Sequence, residues 1–354
     1  MTGLAASIGG RLRRGWSAYR LRWKRRELLW RAIRARKNLT PVADRTAKIG
    51  PDGVLVFVTL RNELGRLPEF LTHYRRLGVS HFLVVDNDSD DGTTALLRAQ
   101  PDVSLWRAAG SYRDSRFGMD WLGALLMRYG HGHWCVTVDA DELLVYPDCD
   151  GHDLRELTTF LGRRNIPAIG GLMLDLYPRG PLGRADAPNG APLADRLPFF
   201  DEGPYRCRVQ QPRRNRWVQG GARERCFFAD RPERSPTLNK LPLVLWNRRY
   251  AYVNSTHSML PPSLNDLYDG PADERLSCVL LHSKFLPEIV AKSREELDRR
   301  QHFNDPDLYT DYHRRLALAP TLWHAGSCRY EGTAQLEALG LMHSGDWSRR
   351  EQRG

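Results

Sequence analysis

Seven residues in succession, Val54 to Leu60, offer solvent no polar side chain except Thr59. A strand of that kind has to be covered on both faces, as strands are in parallel sheets layered between helices. The segments that follow keep to this plan. Leu67, Phe70, Leu71, Tyr74 and Leu77 recur at helical spacing and stop at Gly78, a residue suited to a helix C-terminus. His81–Val85 reads as a strand, Asp91–Ala99 as a helix, Val103–Trp106 as a strand, Phe117–Tyr129 as a helix closed by Gly130, and Trp134–Val138 as a fourth strand. Strands and helices alternating at this spacing need crossover connections, which predicts an α/β fold with a mainly parallel sheet flanked by helices.

Beyond that point the pattern loosens. Pro178 to Pro204 is rich in Pro, Gly and Asp and reads as loop. Arg216–Phe228 and Leu241–Val253 are candidate β segments. Ile289–Ala317 reads as helix with a solvated, charged face that includes Lys292, Arg294 and Glu295. With 41% hydrophobic and 27% charged residues, the 354-residue chain is neither a coiled coil nor a disordered one, and it is long enough for a sizeable core.

The formal charge of +11 is unevenly distributed. Residues 1–48 hold 14 Lys and Arg against Glu27 and Asp44, a net of +12, leaving 39 basic and 40 acidic residues in the remainder. A near-neutral body has no basic track for nucleic acid, so no nucleic-acid partner is expected. Within the arm, Leu12, Trp16, Tyr19, Trp23, Trp30 and Ile33 form a helical stripe among arginines, a pattern suited to an anionic membrane surface through residues 1–40 or to packing on the body. No apolar run approaches the roughly 20 residues of a membrane span, and Gly10 leads straight into arginines. The chain is therefore expected to be cytoplasmic, with peripheral contact at the inner face of the membrane. Six cysteines without a CxxC pair predict reduced, mostly buried thiols.

In an open parallel sheet, ligands gather at the C-terminal ends of the strands. Here the first strand ends in Arg61-Asn62-Glu63, the second in Asp86-Asn-Asp-Ser-Asp-Asp-Gly-Thr93 and the fourth in Asp139-Ala-Asp141-Glu142. Asp, Asn and Ser also cap helices, and Ser89 or Asp90 could serve as the N-cap of the helix that follows. Three acidic clusters at one edge repel unless a cation or hydrogen-bond donors balance them. Asp139 and Asp141, one residue apart beyond a buried strand, suit a hard divalent ion that leaves positions free for phosphate oxygens. Asp86 is placed to accept hydrogen bonds from a base or ribose.

This ordered set resembles the GT-A-fold glycosyltransferases, specifically the family 2-like group. The likeness rests on VLVFVTLRNEL (54–64), LPEFLTHYRRLGVS (67–80), FLVVDNDSDDGTT (82–94) and VTVDADELLVY (136–146). It continues more faintly in GGARERCFF (220–228), LNKLPLVLWN (238–247), STH (255–257) and LLHSKFLP (280–287). The resemblance implies a GT-A domain over residues 50–300, between the basic extension 1–48 and a helical tail 301–354. It implies metal-dependent transfer of a sugar, with inversion, from a nucleotide-diphosphate donor to a glycan, lipid-linked or protein acceptor, as in polysaccharide biosynthesis.

It further implies that Asp86 holds the donor nucleoside, with Arg61, Asn62 and Glu63 lining the same pocket. Asp139 and Asp141 match the DxD pair that binds Mn or Mg, Asp139 reaching the ribose or the ion. His282 or His257 would be a further ligand, and Lys284 would neutralise the diphosphate. Relatives commonly draw the catalytic base from a Glu-Asp pair absent here, so Glu224 and Asp175 are the first candidates and Asp201 the third. Three other readings start from the same residues. In a haloacid dehalogenase-like phosphatase Asp139 would be the nucleophile, a nucleotidyltransferase would use the same metal logic, and a non-catalytic membrane-associated binding protein would use none of it.

Overall fold

The computed structural model describes residues 2–347 apart from 186, 189 and 300–305; the side chains of 2–14, 296, 298, 299 and 306–309 are also outside the description. Leu12 of the arm therefore lies outside the described side chains. So do residues 301–305 and 348–354 of the predicted tail.

One nine-stranded sheet organises the body. Its strands are β1 (Leu39–Ala43), β2 (Leu55–Leu60), β3 (His81–Asp86), β4 (Val103–Ala108), β5 (Trp134–Thr137), β6 (Glu142–Val145), β7 (Ala168–Asp175), β8 (Asn239–Leu245) and β9 (Cys278–His282). Across the sheet they lie in the order β1-β4-β3-β2-β5-β8-β7-β9-β6. β4, β3, β2 and β5 pair in parallel, as do β7 and β9, whereas β1, β8 and β6 run against their neighbours. The predicted α/β class and mainly parallel sheet are borne out.

β2 shows why the sheet is layered. Val56, Val58 and Leu60 belong to the apolar cluster that also takes in α2 (Leu67–Arg76) and α5 (Leu154–Arg163), while Leu55 and Phe57 join Trp121, Leu122 and Leu125 of α4 (Met119–Leu125) on the other face. α2 is built as its spacing requires, with Leu67, Phe70, Leu71 and Tyr74 buried. It ends at Gly78, whose φ of +82° and close approach to Asp153 both call for a residue without a side chain. α3 (Thr93–Ala99) starts two residues later than expected, because Asp91 accepts the Thr93 amide at 2.9 Å. Neither Ser89 nor Asp90 caps it.

Several elements differ from expectation. β1, assigned by charge to the extension, is an edge strand of the main sheet. Residues 221–227, read as β, form α6 (Gly221–Phe227), because Gly220, with φ +144°, ends the preceding strand and turns the chain into a helix. Ile289–Ala317 divides into α7 (Glu288–Arg299) and α8 (Pro306–Ala317). The C-terminal segment is not a separate helical tail: Leu336, Leu341, Met342 and Trp347 enter the main core, and the Trp347 indole donates to Pro147 O at 2.9 Å. All six cysteines are free; Cys135, Cys149 and Cys278 are buried, but Cys207 is exposed.

The basic arm is α1 (Thr2–Ala35), a helix docked on α4. Leu28, Ala32 and Ala35 form its buried side, and the predicted stripe of Trp16, Tyr19, Trp23, Trp30 and Ile33 stays exposed instead of packing on the body. No helix among the described residues is long and apolar enough to cross a membrane.

Candidate active site

The polar rim lies where six strands end and three begin. Asp86 closes β3, Asp175 closes β7 and His282 closes β9, while Glu142 opens β6 and Asn239-Lys240 opens β8. Residues 138–141, which connect β5 to β6, carry Asp139 and Asp141 along this rim. Register places Asp86 beside Leu60 and Thr137 beside Phe57, so Asp86 and the end of β5 flank β2, about 10 Å apart across the sheet and offset by three residues along it.

On the β2–β3 side, Asp86 is buried. Its Oδ1 accepts the Ser89 amide at 3.0 Å and the Ser89 hydroxyl at 2.6 Å, and Oδ2 accepts the Thr94 hydroxyl. Asn62, in the left-handed region with φ +54°, donates from Nδ2 to Asp90 at 2.8 Å and accepts the Asp90 amide at 3.0 Å. The two loops are thus laced into one wall. Glu63 belongs to that wall as an ion-pair partner of Arg66 (2.5 Å) and Lys292 (2.8 Å), so one charge of the predicted solvated face of α7 is spent inside the site. Arg61 is exposed at the tip.

The carboxylates beyond β5 sit among cations supplied by the chain. The buried Lys240 ammonium lies 3.1 Å from Asp139 Oδ2 and 2.8 Å from Glu142 Oε1. Burial pushes Glu142 up to about 7 even against the pull of Lys240. Asp141 faces His282, with Oδ2 3.1 Å from Nε2, and its main-chain oxygen accepts the Ser283 amide at 2.7 Å. The other ring nitrogen of His282, Nδ1, lies 2.6 Å from Asp175 Oδ1, and Asp175 Oδ2 accepts Arg223 Nε at 2.7 Å. Asp141, His282, Asp175 and Arg223 form one continuous chain of partners.

The charges in this chain set one another's protonation. Burial alone would raise the Asp175 carboxyl, but Arg223 and His282 outweigh it and hold the group at about 2. Burial likewise opposes protonation of His282, yet Asp141 and Asp175 raise its pKa. Asp141 is held well below the usual carboxylate range by His282, Arg66 and Lys284 despite its burial. The clustered acids are thus balanced by the protein's own cations and amides, and their presence alone does not require a metal ion.

Two further groups border these residues. The turn before α4 brings Gly118, with φ +78°, so close to the end of β2 that a Cβ there would lie 2.8 Å from the Thr59 side chain. The same turn carries Tyr112, a 43%-exposed residue whose hydroxyl pKa is raised by partial enclosure and then by the charges of Asp139 and Asp141. On the opposite side, burial lowers the Lys284 ammonium, with Arg223 adding to the effect.

The remaining candidates are placed elsewhere or otherwise engaged. Glu224 follows Arg223 on α6 but turns to Arg206 (2.7 Å) and to the Ser235 hydroxyl (2.7 Å). Asp201 is held by Arg225 at 2.9 Å and by Tyr177. His257 donates from Nδ1 to Asn239 O at 2.6 Å, and burial lowers its pKa to about 3, so it is a structural histidine tying β8 to the loop after it. Sequence reasoning assigned no role to Lys240, Arg223, Glu142, Arg66 or Tyr112. Lys240 and Arg223 lie within the segments that carry the resemblance, but a basic residue in an apolar strand opening or a short helix has no spacing signature of its own.

No family model matches the chain. Among curated proteins it is 25% identical over 172 residues to a glycosyltransferase family 92 protein of Oryza sativa subsp. japonica. The likeness is to glycosyltransferases. The overlap takes in 46% of this chain and 26% of the rice protein, so the chain spans about a quarter of that relative's length. Among solved structures, the mannosyltransferase PcManGT from Pyrobaculum calidifontis, in complex with GDP-Man and Mn2+, is 22% identical; 47% of each chain is covered, with a TM-score of 0.24. A putative glucose-1-phosphate thymidylyltransferase from Bacillus anthracis is 10% identical, with 74% of this chain and 84% of its own covered and a TM-score of 0.25.

Proposed function

We propose that the chain is a metal-dependent glycosyltransferase that moves a sugar from a nucleotide-diphosphate donor to a glycan, lipid-linked or protein acceptor. The observation that carries this reading is the Asp141–His282 pair, oriented by Asp175, on the same sheet rim as Asp86 and Asp139.

The donor set fits a divalent ion such as Mn or Mg. A carboxylate oxygen and an imidazole nitrogen face each other, and the second ring nitrogen is held by a buried carboxylate, the usual arrangement behind a ligating histidine. Among the described residues no three His, Cys, Asp or Glu side chains converge into a cage. Asp141 and His282 would supply two protein donors, and substrate phosphates and water would complete the shell of such an ion. Such an ion, when bound, neutralises the diphosphate as the nucleotide departs.

The chain's own groups do the rest. Asp86, with its wall of Asn62 and Ser89, receives the nucleoside. Asp139, half-exposed beside Lys240, reaches the ribose or the ion. Arg66 and Lys284 place positive charge next to Asp141, where the diphosphate would lie. Asp175, held at about 2 by Arg223 and His282, is too weak a base for an acceptor hydroxyl and acts here as a positioning residue for His282. Glu224 would have to leave Arg206 before it could accept a proton from the acceptor.

Turnover of UDP- and GDP-sugars with and without Mn tests the reading. The expected result is metal-dependent release of the nucleoside diphosphate that falls by about a hundredfold or more in Asp141→Asn. Full turnover by that variant, or pyrophosphate release from a nucleoside triphosphate and a sugar phosphate instead, would overturn it. The anomeric configuration of the transferred sugar decides between inversion and retention.

A further inference from the structure

α1 has two apolar faces, and the body uses only one. At about 100° per residue, Leu21, Leu28, Ala32 and Ala35 cluster on one side of the helix, and Trp16, Tyr19, Trp23, Trp30 and Ile33 cluster roughly 180° away. The first group is the docked face. Ala32 lies against Gly123 of α4, where a Cβ on the glycine would come within 3.1 Å of it. Arg31 secures the seam, donating to the buried Asp120 at 2.8 Å and to Asp114 O at 2.7 Å. The second group faces away from the protein. Trp16 and Trp30 are 64% and 63% exposed, and this one face carries five of the ten exposed large apolar side chains among the described residues.

Exposed apolar residues scattered singly need no explanation, but a contiguous row of three tryptophans, a tyrosine and an isoleucine does. The rings are already ordered among themselves: Trp16 stacks on Tyr19 at 5.8 Å, and the Arg26 guanidinium lies 5.2 Å from the Trp23 ring. Arg20 and Lys24 flank the row on one shoulder and Arg22 on the other, all exposed. Amphipathic aromatic side chains between rows of cations match the headgroup layer of an anionic bilayer, which takes the rings at its apolar boundary and the guanidinium groups at its phosphates.

We infer that this face of α1 docks the protein on an anionic lipid surface, with the helix axis parallel to the membrane. A second copy of the chain is a poorer occupant, since pairing two such faces would bring two extensions of net charge +12 together. Beyond Ala35 the chain reaches Asn38, whose carbonyl accepts the Ala109 amide at the end of β4, so α1 terminates at the same sheet edge as the acidic rim. That hydrogen bond fixes the C-terminal end of the helix beside the rim. The inference rests on α1 and holds whether or not the transferase reading does.

Flotation of the full chain with vesicles tests it, using phosphatidylcholine alone and phosphatidylcholine with about 30% phosphatidylglycerol. The partner variant is the triple substitution Trp16→Ser, Trp23→Ser, Trp30→Ser, which leaves the docked face untouched, as an unchanged circular dichroism spectrum would verify. The chain is expected to float with the anionic vesicles only, to bind more weakly in about 0.5 M salt, and to lose about tenfold or more in affinity in the triple variant. Brominated lipid should quench tryptophan emission in the wild type and much less in the variant. Equal binding by the variant, or no binding by the wild type, overturns the inference. So does capture by RNA without capture by vesicles, or a dimer in light scattering that the triple variant abolishes while vesicles stay unbound.

Discussion

Substituting Asp175→Asn removes the charge that joins β7 to α6 and orients His282. Both partners are out of solvent, with side-chain exposures of 3% for Asp175 and 7% for Arg223, so the remaining guanidinium would be left buried without a counter-charge. Breaking a buried pair from one side costs about 3–5 kcal/mol. The pH dependence gives an independent figure. A carboxyl whose pKa falls from 3.8 to about 2 on folding contributes about 2 kcal/mol, fully present above pH 3.8 and lost as the pH falls towards 2. Urea denaturation of the wild type, Asp175→Asn, Arg223→Met and the double variant at pH 7 measures the pair directly. The expected single losses are about 3 kcal/mol each, with the double variant short of their sum by about 2 kcal/mol. The wild type should also weaken between pH 4 and pH 2 more than Asp175→Asn does. Losses that add to within about 0.5 kcal/mol, or equal acid sensitivity of the two proteins, would refute the view that this pair holds the histidine in place.

Lys240→Met should lower the denaturation midpoint through the buried Glu142 left behind, by about 3 kcal/mol at pH 8 and clearly less at pH 6. The sign follows from the raised Glu142 pKa of about 7: a carboxyl that prefers its proton in the folded state stabilises at low pH, and that contribution is lost as the pH rises through 7. A pH-independent loss would contradict it. Arg31→Ala leaves Asp120 with Arg116 alone and should loosen α1, raising the rate of tryptic cleavage within the arm by about tenfold while the body stays resistant. An unchanged cleavage rate would show that the apolar seam alone holds the helix.

How much of this could be read from the sequence varies with the physics of each element. β2, β3 and β5 were legible because strands covered on both faces present largely apolar runs, and the carboxylates that follow β3 and β5 stood out against those runs; β4, with Ser104 and Arg107 inside it, was legible from its place in the alternation. β7 was not, because Gly170 and Gly171 interrupt it; a Cβ on Gly171 would sit 2.2 Å from Cys278 O and one on Gly170 2.4 Å from the Tyr268 side chain, so the glycines mark the close approach of β9 and of Tyr268 and not a turn. β1 was hidden inside a segment assigned by its charge. α1 was recognised by its aromatic row, but half of the face that docks is small, Ala32 and Ala35 beside Leu21 and Leu28, and carries a weaker periodic signal. In the site, Asp139 and Asp141 were singled out by their spacing and by family resemblance. Lys240 was passed over because a lysine at a strand opening reads as solvated, whereas here it is buried between two acids.

The central claim is that the rim acids and His282 hold a divalent ion together with a nucleoside diphosphate. Calorimetric titration of UDP and GDP into the protein, with Mn present and absent, tests it most directly. Tight binding of one nucleotide only with Mn, lost in Asp141→Ala while the fold is retained, is the result the account predicts. Binding that is equal without the metal, or unaffected by that substitution, would contradict it.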